Sequence, residues 1–121
     1  KQLVGDRLRE PLLAARVAEL ENELLALELT ALRVVAHSAD GEPHPASSVL
    51  KLKGTELQQA VTELLVDLAG PAGLASGTAE GALPDWVHRT VPTYLNYRKA
   101  SIYGGSNEVQ RQIIARTILG L

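Results

Sequence analysis

The sequence predicts an all-α fold, an antiparallel helical bundle, and three observations carry that expectation. Apolar residues make up 45% of the 121 positions, yet there is no Phe, no Met, one Trp and three Tyr. A core of Leu, Val, Ile and Ala suits packed helices better than a β-sandwich. Apolar residues also recur at spacings of three and four along most of the chain, the period of one helix face. The stretches between are rich in Gly and Pro. At 12.9 kDa the chain is one domain at most, large enough for a single core.

The first helix is expected from about Arg9 to Ala36. Leu13, Val17, Leu20, Leu24, Leu27, Ala31 and Val34 form its continuous apolar stripe. Pro11 suits the first turn, where its missing N–H costs little. Glu19, Glu21, Glu23 and Glu28 lie between or beside the stripe and read as a solvated face. At 1.5 Å per residue this helix would be roughly 40 Å long. Asp40 to Pro45 (DGEPHP) is a turn-rich break. His37 falls where a positive charge complements the helix dipole, and His44 reads as a loop histidine.

Ser47 reads as the N-cap of a second helix running to about Leu68, with Leu50, Gly54, Leu57, Val61, Leu64 and Leu68 as its stripe. A glycine inside a helix costs about 1 kcal/mol against alanine. Gly54 therefore marks a close crossing with the first helix, or chance. The segment from Gly70 to Leu83 (GPAGLASGTAEGAL) reads as a flexible linker or as a ligand-facing loop. Pro84 and Asp85 open a third stretch, DWVHRTVPTYLNYRKAS, which Pro92 should kink or divide. Trp86, Val87, Tyr94 and Leu95 are expected to face inward. The last helix should span about Asn107 to Leu119, with Val109, Ile113, Ile114 and Ile118 on one side and Gly120 as terminator. Three or four such helices close only a thin core.

Composition removes several classes of function. A net charge of −2 argues against a nucleic-acid surface. The longest apolar runs fall far short of a membrane span. Without cysteine there are no disulfides, thiolate metal sites or thiol chemistry, which agrees with a cytoplasmic location. Three scattered histidines show no metal-ligand spacing. No internal repeat or domain boundary divides residues 1–121. The chain opens with Lys1 rather than Met and shows no signal-peptide pattern, so further sequence is expected upstream.

The most informative segment is residues 101–121, SIYGGSNEVQRQIIARTILGL. Gly104 and Gly105 allow positive φ and the close approach of a bulky ligand. Ser106 can accept a hydrogen bond from the free N–H groups that open the last helix. Those groups and the helix dipole favour a phosphate or another acceptor-rich ligand there. From Ile102 onward the segment resembles the C-terminal signature of flavin-dependent acyl-CoA dehydrogenases, Y-[E/G]-G-[T/S]-x-[E/Q]-[I/V]-Q-R with its trailing helix. Residues 68–74 (LAGPAGL) are similar to the Gly-containing turn after the family's penultimate long helix. The stretch from Trp86 to Arg98 leads into the signature as in many bacterial members. The resemblance covers essentially the whole chain, in the family's order, but only about the last third of a typical family polypeptide.

The resemblance implies FAD as cofactor, with Ser106, Asn107 and Glu108 at positions that touch it. Asp67 and Gly70 occupy the turn that in relatives approaches the FAD of a neighbouring subunit. Asp67 stands where many relatives have Gln, and a carboxylate sits poorly beside a pyrophosphate. Tyr103, Gly104 and Gly105 match the strip that lines the acyl thioester pocket.

The family removes a proton from Cα of an acyl-CoA and a hydride from Cβ, the hydride passing to the flavin. The proton needs a carboxylate base shielded from bulk water. In many members that glutamate follows the signature tyrosine; here the position is Gly104, which cannot act. Glu108 lies one helical turn later, where the family uses Glu or Gln for cofactor contact. No catalytic residue is therefore expected within the chain. The base would lie on an earlier bundle helix, before Lys1, or the chain would be a non-catalytic subunit whose partner supplies it. The resemblance also implies that the bundle is incomplete, lacking its first helix, and that the N-terminal helical and middle β-domains are absent. The chain by itself should be inactive. As part of the enzyme it would contribute FAD contacts, acyl-pocket wall and oligomer interface to α,β-dehydrogenation of an acyl-CoA thioester. A helical assembly module without activity is the alternative. Expected partners are the acyl-CoA substrate, same-family subunits in a homo- or heterotetramer, and an electron-transfer flavoprotein. The short Gly104 leaves room for a branched or bulky acyl group, such as one carrying a ring system.

Overall fold

The computed structural model describes residues 5, 9–38, 44–74 and 84–121, and every regular element among them is helical. Four helices follow in chain order: α1 (Pro11–His37), α2 (Ser47–Leu74), α3 (Asp85–Tyr97) and α4 (Asn107–Ile114). A 3₁₀ turn at Arg98–Ser101 leads out of α3, and a π turn at Ala115–Leu119 extends α4. The all-α bundle expected from the sequence is the fold observed. Most of the DGEPHP break and residues 75–83 of the glycine-rich segment lie outside the described residues.

α2 is the central helix, and α1, α3 and α4 pack on it. Arg16 near the start of α1 pairs with Asp67 near the end of α2, while Leu27 lies opposite Gly54. These two contacts fix α1 and α2 as antiparallel. Gln59 reaches Tyr97 and Arg98 while Gly73 faces Val91, so α3 is antiparallel to α2 as well. α4 then runs back along α2, with Asn107 beside Lys51 and Arg111 beside Glu56.

Pro11 sits in the first turn of α1, as its missing N–H allows. At the other end the His37 ring is bonded to the Arg33 carbonyl at 2.8 Å, and Ser38 Oγ donates to the Val34 carbonyl. Of the expected stripe only Val34 is buried; Leu13, Val17, Leu20, Leu27 and Ala31 are half-buried and Leu24 is exposed. A second apolar row on α1, Leu25, Leu29, Leu32 and Val35, is exposed to solvent.

α2 buries Leu57, Leu64, Leu68 and Ala69, whereas Val61 is exposed. Thr55 and Thr62 are buried too, and their hydroxyls donate to the Lys51 and Gln59 carbonyls, so neither is left without a partner. Ser47 is not the N-cap: it is the first helical residue, and Ala46 precedes it. His44 organises this entry by accepting the Ala46 N–H on Nδ1 at 3.1 Å, a role beyond that of a loop histidine. Beyond Leu68 the helix continues to Gly70, whose φ of 57° and ψ of −151° break it. Only glycine occupies that region readily. Pro71 then opens one more turn, so the glycine-rich segment begins with helix rather than loop.

Pro92 neither ends nor divides α3. It lies on the exposed side, where a carbonyl deprived of its helical partner can turn to water. Val87 is buried and Trp86 and Tyr94 are half-buried, but Leu95 is 61% exposed, against expectation. The inward side is completed by Thr90, whose hydroxyl donates to the Trp86 carbonyl. On α4 the buried positions are polar, and of the apolar residues expected on one side only Ile114 is half-buried. Asn107 and Gln110 are buried, whereas Val109 and Ile118 are 48% and 47% exposed. Gly120, at φ 71°, ends the final turn as its position implied. An apolar groove of about 540 Å³ runs between α1 and α2, lined by Leu20, Leu24, Val61 and Leu65 among others. No helix among the described residues is long and apolar enough to cross a membrane.

Candidate functional site

The segment that carries the candidate site enters through the end of α3, where carbonyls run out of helical partners. Lys51, Thr55 and Gln59 stand at intervals of four on α2, and therefore in one row. Gln59 Nε2 donates to the Tyr97 and Arg98 carbonyls at 3.3 and 3.2 Å, and Lys51 Nζ to the Ala100 carbonyl at 3.3 Å. Arg98 answers by donating to the Gln59 carbonyl, with its guanidinium 4.4 Å over the Tyr94 ring.

Tyr103, Gly104 and Gly105 then form an exposed strip with φ of 66° at Gly104 and 86° at Gly105. A Cβ added at Gly104 would meet nothing within 4 Å, so the space beyond it is open. At Gly105 a Cβ would fall 2.5 Å from Nε2 of Gln110, which is buried beneath the strip and donates to the Gly104 carbonyl at 3.3 Å.

Ser106 has the extended backbone of an N-cap, and its Oγ accepts the Val109 N–H at 3.4 Å. Asn107 is buried, and its Oδ1 accepts from Lys51 Nζ at 2.9 Å. Its side chain is thus committed inward. Glu108 is exposed in the first turn. Its own backbone N–H, the Ser106 hydroxyl and the charges of Arg111 and Lys51 hold its carboxyl below the ordinary glutamate range.

Asp67 and Gly70 stand elsewhere. Sixteen residues separate Lys51 from Asp67, about 24 Å along α2. The structure therefore gathers Tyr103, Gly104, Gly105, Ser106, Asn107 and Glu108 at one end of α2 and leaves Asp67 and Gly70 at the other. The Asp67 carboxylate is paired with Arg16. Lys51, Gln59 and Arg16 escaped the sequence reading, because polar residues at helical spacing look like a solvated face, and Gln110 stands in the signature without a role of its own there. No group of three or more His, Asp or Glu among the described residues could hold a metal ion.

A helical bundle whose last turn presents a glycine strip and a serine-capped helix start defines the class of domain to compare. Residues 3–119 match the family model for the acyl-CoA dehydrogenase C-terminal domain. Acyl-CoA dehydrogenase IpdE1 of Mycolicibacterium smegmatis is 34% identical over 112 residues, covering 93% of this chain and 26% of the relative. The protein of the same name from Mycobacterium tuberculosis is 33% identical over 112 residues, covering 93% of this chain and 27% of the relative. No solved structure matches the chain. The chain belongs to the acyl-CoA dehydrogenase family, as the resemblance implied, and spans about a quarter of the length of these relatives.

Proposed function

We propose that the chain is the C-terminal bundle segment of an FAD-dependent acyl-CoA dehydrogenase acting on a bulky acyl-CoA thioester. The carrying observation is the exposed glycine strip that runs into the serine-capped start of α4, in a chain of this family. Tyr103, Gly104 and Gly105 wall the thioester pocket, and the open space beyond Gly104 accommodates a branched or ring-bearing acyl group.

The residues present suit FAD in kind. The N–H of Asn107 lacks a helical partner at the start of α4 and, together with Ser106, would face an acceptor-rich ligand, while the Glu108 N–H is engaged by its own carboxyl. The ionised Glu108 disfavours a phosphate beside it, so a neutral oxygen-bearing part of the cofactor is the better neighbour. At the far end of α2, Arg16 offsets the charge of Asp67, which removes the objection to a carboxylate near a pyrophosphate. Their distance from α4 is consistent with Asp67 and Gly70 serving a second flavin, that of a neighbouring subunit. FAD, when bound, supplies the acceptor for the hydride leaving Cβ.

Removal of the α proton requires a base from outside this chain, on a preceding helix or on a partner subunit. Gly104 has no side chain, and the Glu108 carboxyl is exposed to water rather than shielded as the base needs to be. The exposed apolar rows on α1 and α4 favour an additional role in assembly with same-family subunits. An electron-transfer flavoprotein is the proposed acceptor for the reduced enzyme.

A visible absorption spectrum of the natively purified protein tests the reading. A flavin band that bleaches when a ring-bearing acyl-CoA is added anaerobically is the expected result. A colourless protein that takes up no added FAD overturns it.

A further inference from the structure

We propose that Lys51 is a positioning residue for the strip of Tyr103, Gly104 and Gly105, fastening both ends of the loop that presents it. The inference rests on the proposed function of that strip. Its ammonium donates to the Ala100 carbonyl, just before the loop, at 3.3 Å and to Asn107 Oδ1, just after it, at 2.9 Å. Both anchors are buried, Ala100 at 3% and Asn107 at 9% exposure. The loop between them is exposed from Ile102 to Gly105 and contains two consecutive glycines, so its own backbone restrains it weakly. Its placement is consequently set where it is tied.

The chemistry suits lysine. An ammonium has three rotatable donors on a flexible stem, enough to serve two acceptors on different elements. Its charge lies at the carbonyl end of α3 and its 3₁₀ turn, where the helix dipole favours a cation. Hydrogen bonds from a charged donor are also the stronger kind. Thr55 and Gln59 continue the same row and hold the turn leading in, while Gln110 ties the loop's middle through the Gly104 carbonyl. Among the described residues, Lys51 is the side chain that bonds both entry and exit. A shift of α2 is thereby transmitted to the wall of the acyl pocket.

Lys51→Met keeps the length of the side chain and removes every donor. In the purified flavoprotein, amide hydrogen exchange across residues 102–106 should rise on the order of tenfold, with α1 unchanged. The KM for the acyl-CoA should rise and kcat should fall by a similar factor, while the flavin spectrum is retained. Lys51→Arg should recover part of both effects. Lys51→Gln, which keeps a neutral donor, should lie between Met and Arg, and it decides the matter if Lys51→Met fails to fold. Unchanged loop exchange and unchanged kinetic constants in a flavin-bearing, active Lys51→Met enzyme overturn the role of Lys51 alone. An unsubstituted protein with neither flavin nor turnover overturns the dehydrogenase reading, and the positioning role falls with it.

Discussion

Gly104 and Gly105 look interchangeable in the sequence, yet their surroundings separate them. Both adopt positive φ, which costs an ordinary residue about 1–2 kcal/mol. Gly104 faces open space, so Gly104→Ala should lose about that and no more. Gly105→Ala must in addition displace Gln110, whose Nε2 lies 2.5 Å from the new Cβ. Urea denaturation should place it about 1 kcal/mol or more below Gly104→Ala, with part of the deficit recovered in the Gly105→Ala, Gln110→Ala double variant. Equal losses for the two alanines would contradict the packing described. Glu108 makes a different prediction. Its folded pKa is depressed, so its contribution to the first turn of α4 is complete above the unfolded value of roughly 4.3 and is lost as pH falls through the folded value. Protection factors of the amides at the start of α4, corrected for the intrinsic exchange rate, should fall as the pH is lowered below roughly 4.3, and Glu108→Gln should flatten that dependence.

At the scale of elements, α2 shows what a sequence can disclose. Gly54 was open to two accounts, a close crossing or chance. It does face α1, but an added Cβ would lie 3.8 Å from Leu27 Cδ2, ordinary contact distance. Gly54→Ala should therefore gain about 0.5–1 kcal/mol from helix propensity and reduced unfolded-state entropy, raising Tm by a few degrees. A lower Tm would mean that the helices cannot accept a methyl group at their crossing. Features set by neighbours in the chain were legible: the Pro11 start, the Gly120 stop and the cap at Ser106. Features set by distant residues were not. The polar side of α4 is buried because Lys51 and the Gly104 carbonyl await Asn107 and Gln110 there, and periodicity carries no trace of those partners. Ser47 has the residue type of a cap, but His44 supplies the bond that orders the entry. The candidate site was legible as a motif through residues 103–108, while the row on α2 that anchors this segment was not.

For the molecule as a whole the deciding quantity is how little it buries. Among the described residues no side chain is less than 2% exposed. Among the described residues two apolar rows remain in water, one on α1 (Leu25, Leu29, Leu32, Val35) and one on α4 and the π turn that extends it (Val109, Ile113, Ile118). Rows this regular exceed the scattered surface leucines of an ordinary monomer and mark faces that association would cover. The isolated chain should accordingly self-associate in sedimentation velocity at micromolar concentration. Replacing Leu29 and Leu32 by Lys should weaken that association by disfavouring the burial of α1's outer face, without disturbing the face that meets α2. Replacing Val109 and Ile113 by Lys makes the same test for α4. If only one pair matters, that face carries the contact between copies. If the unsubstituted chain sediments as a monomer throughout, the exposed rows do not associate with each other, and the assembly role fails for this chain alone.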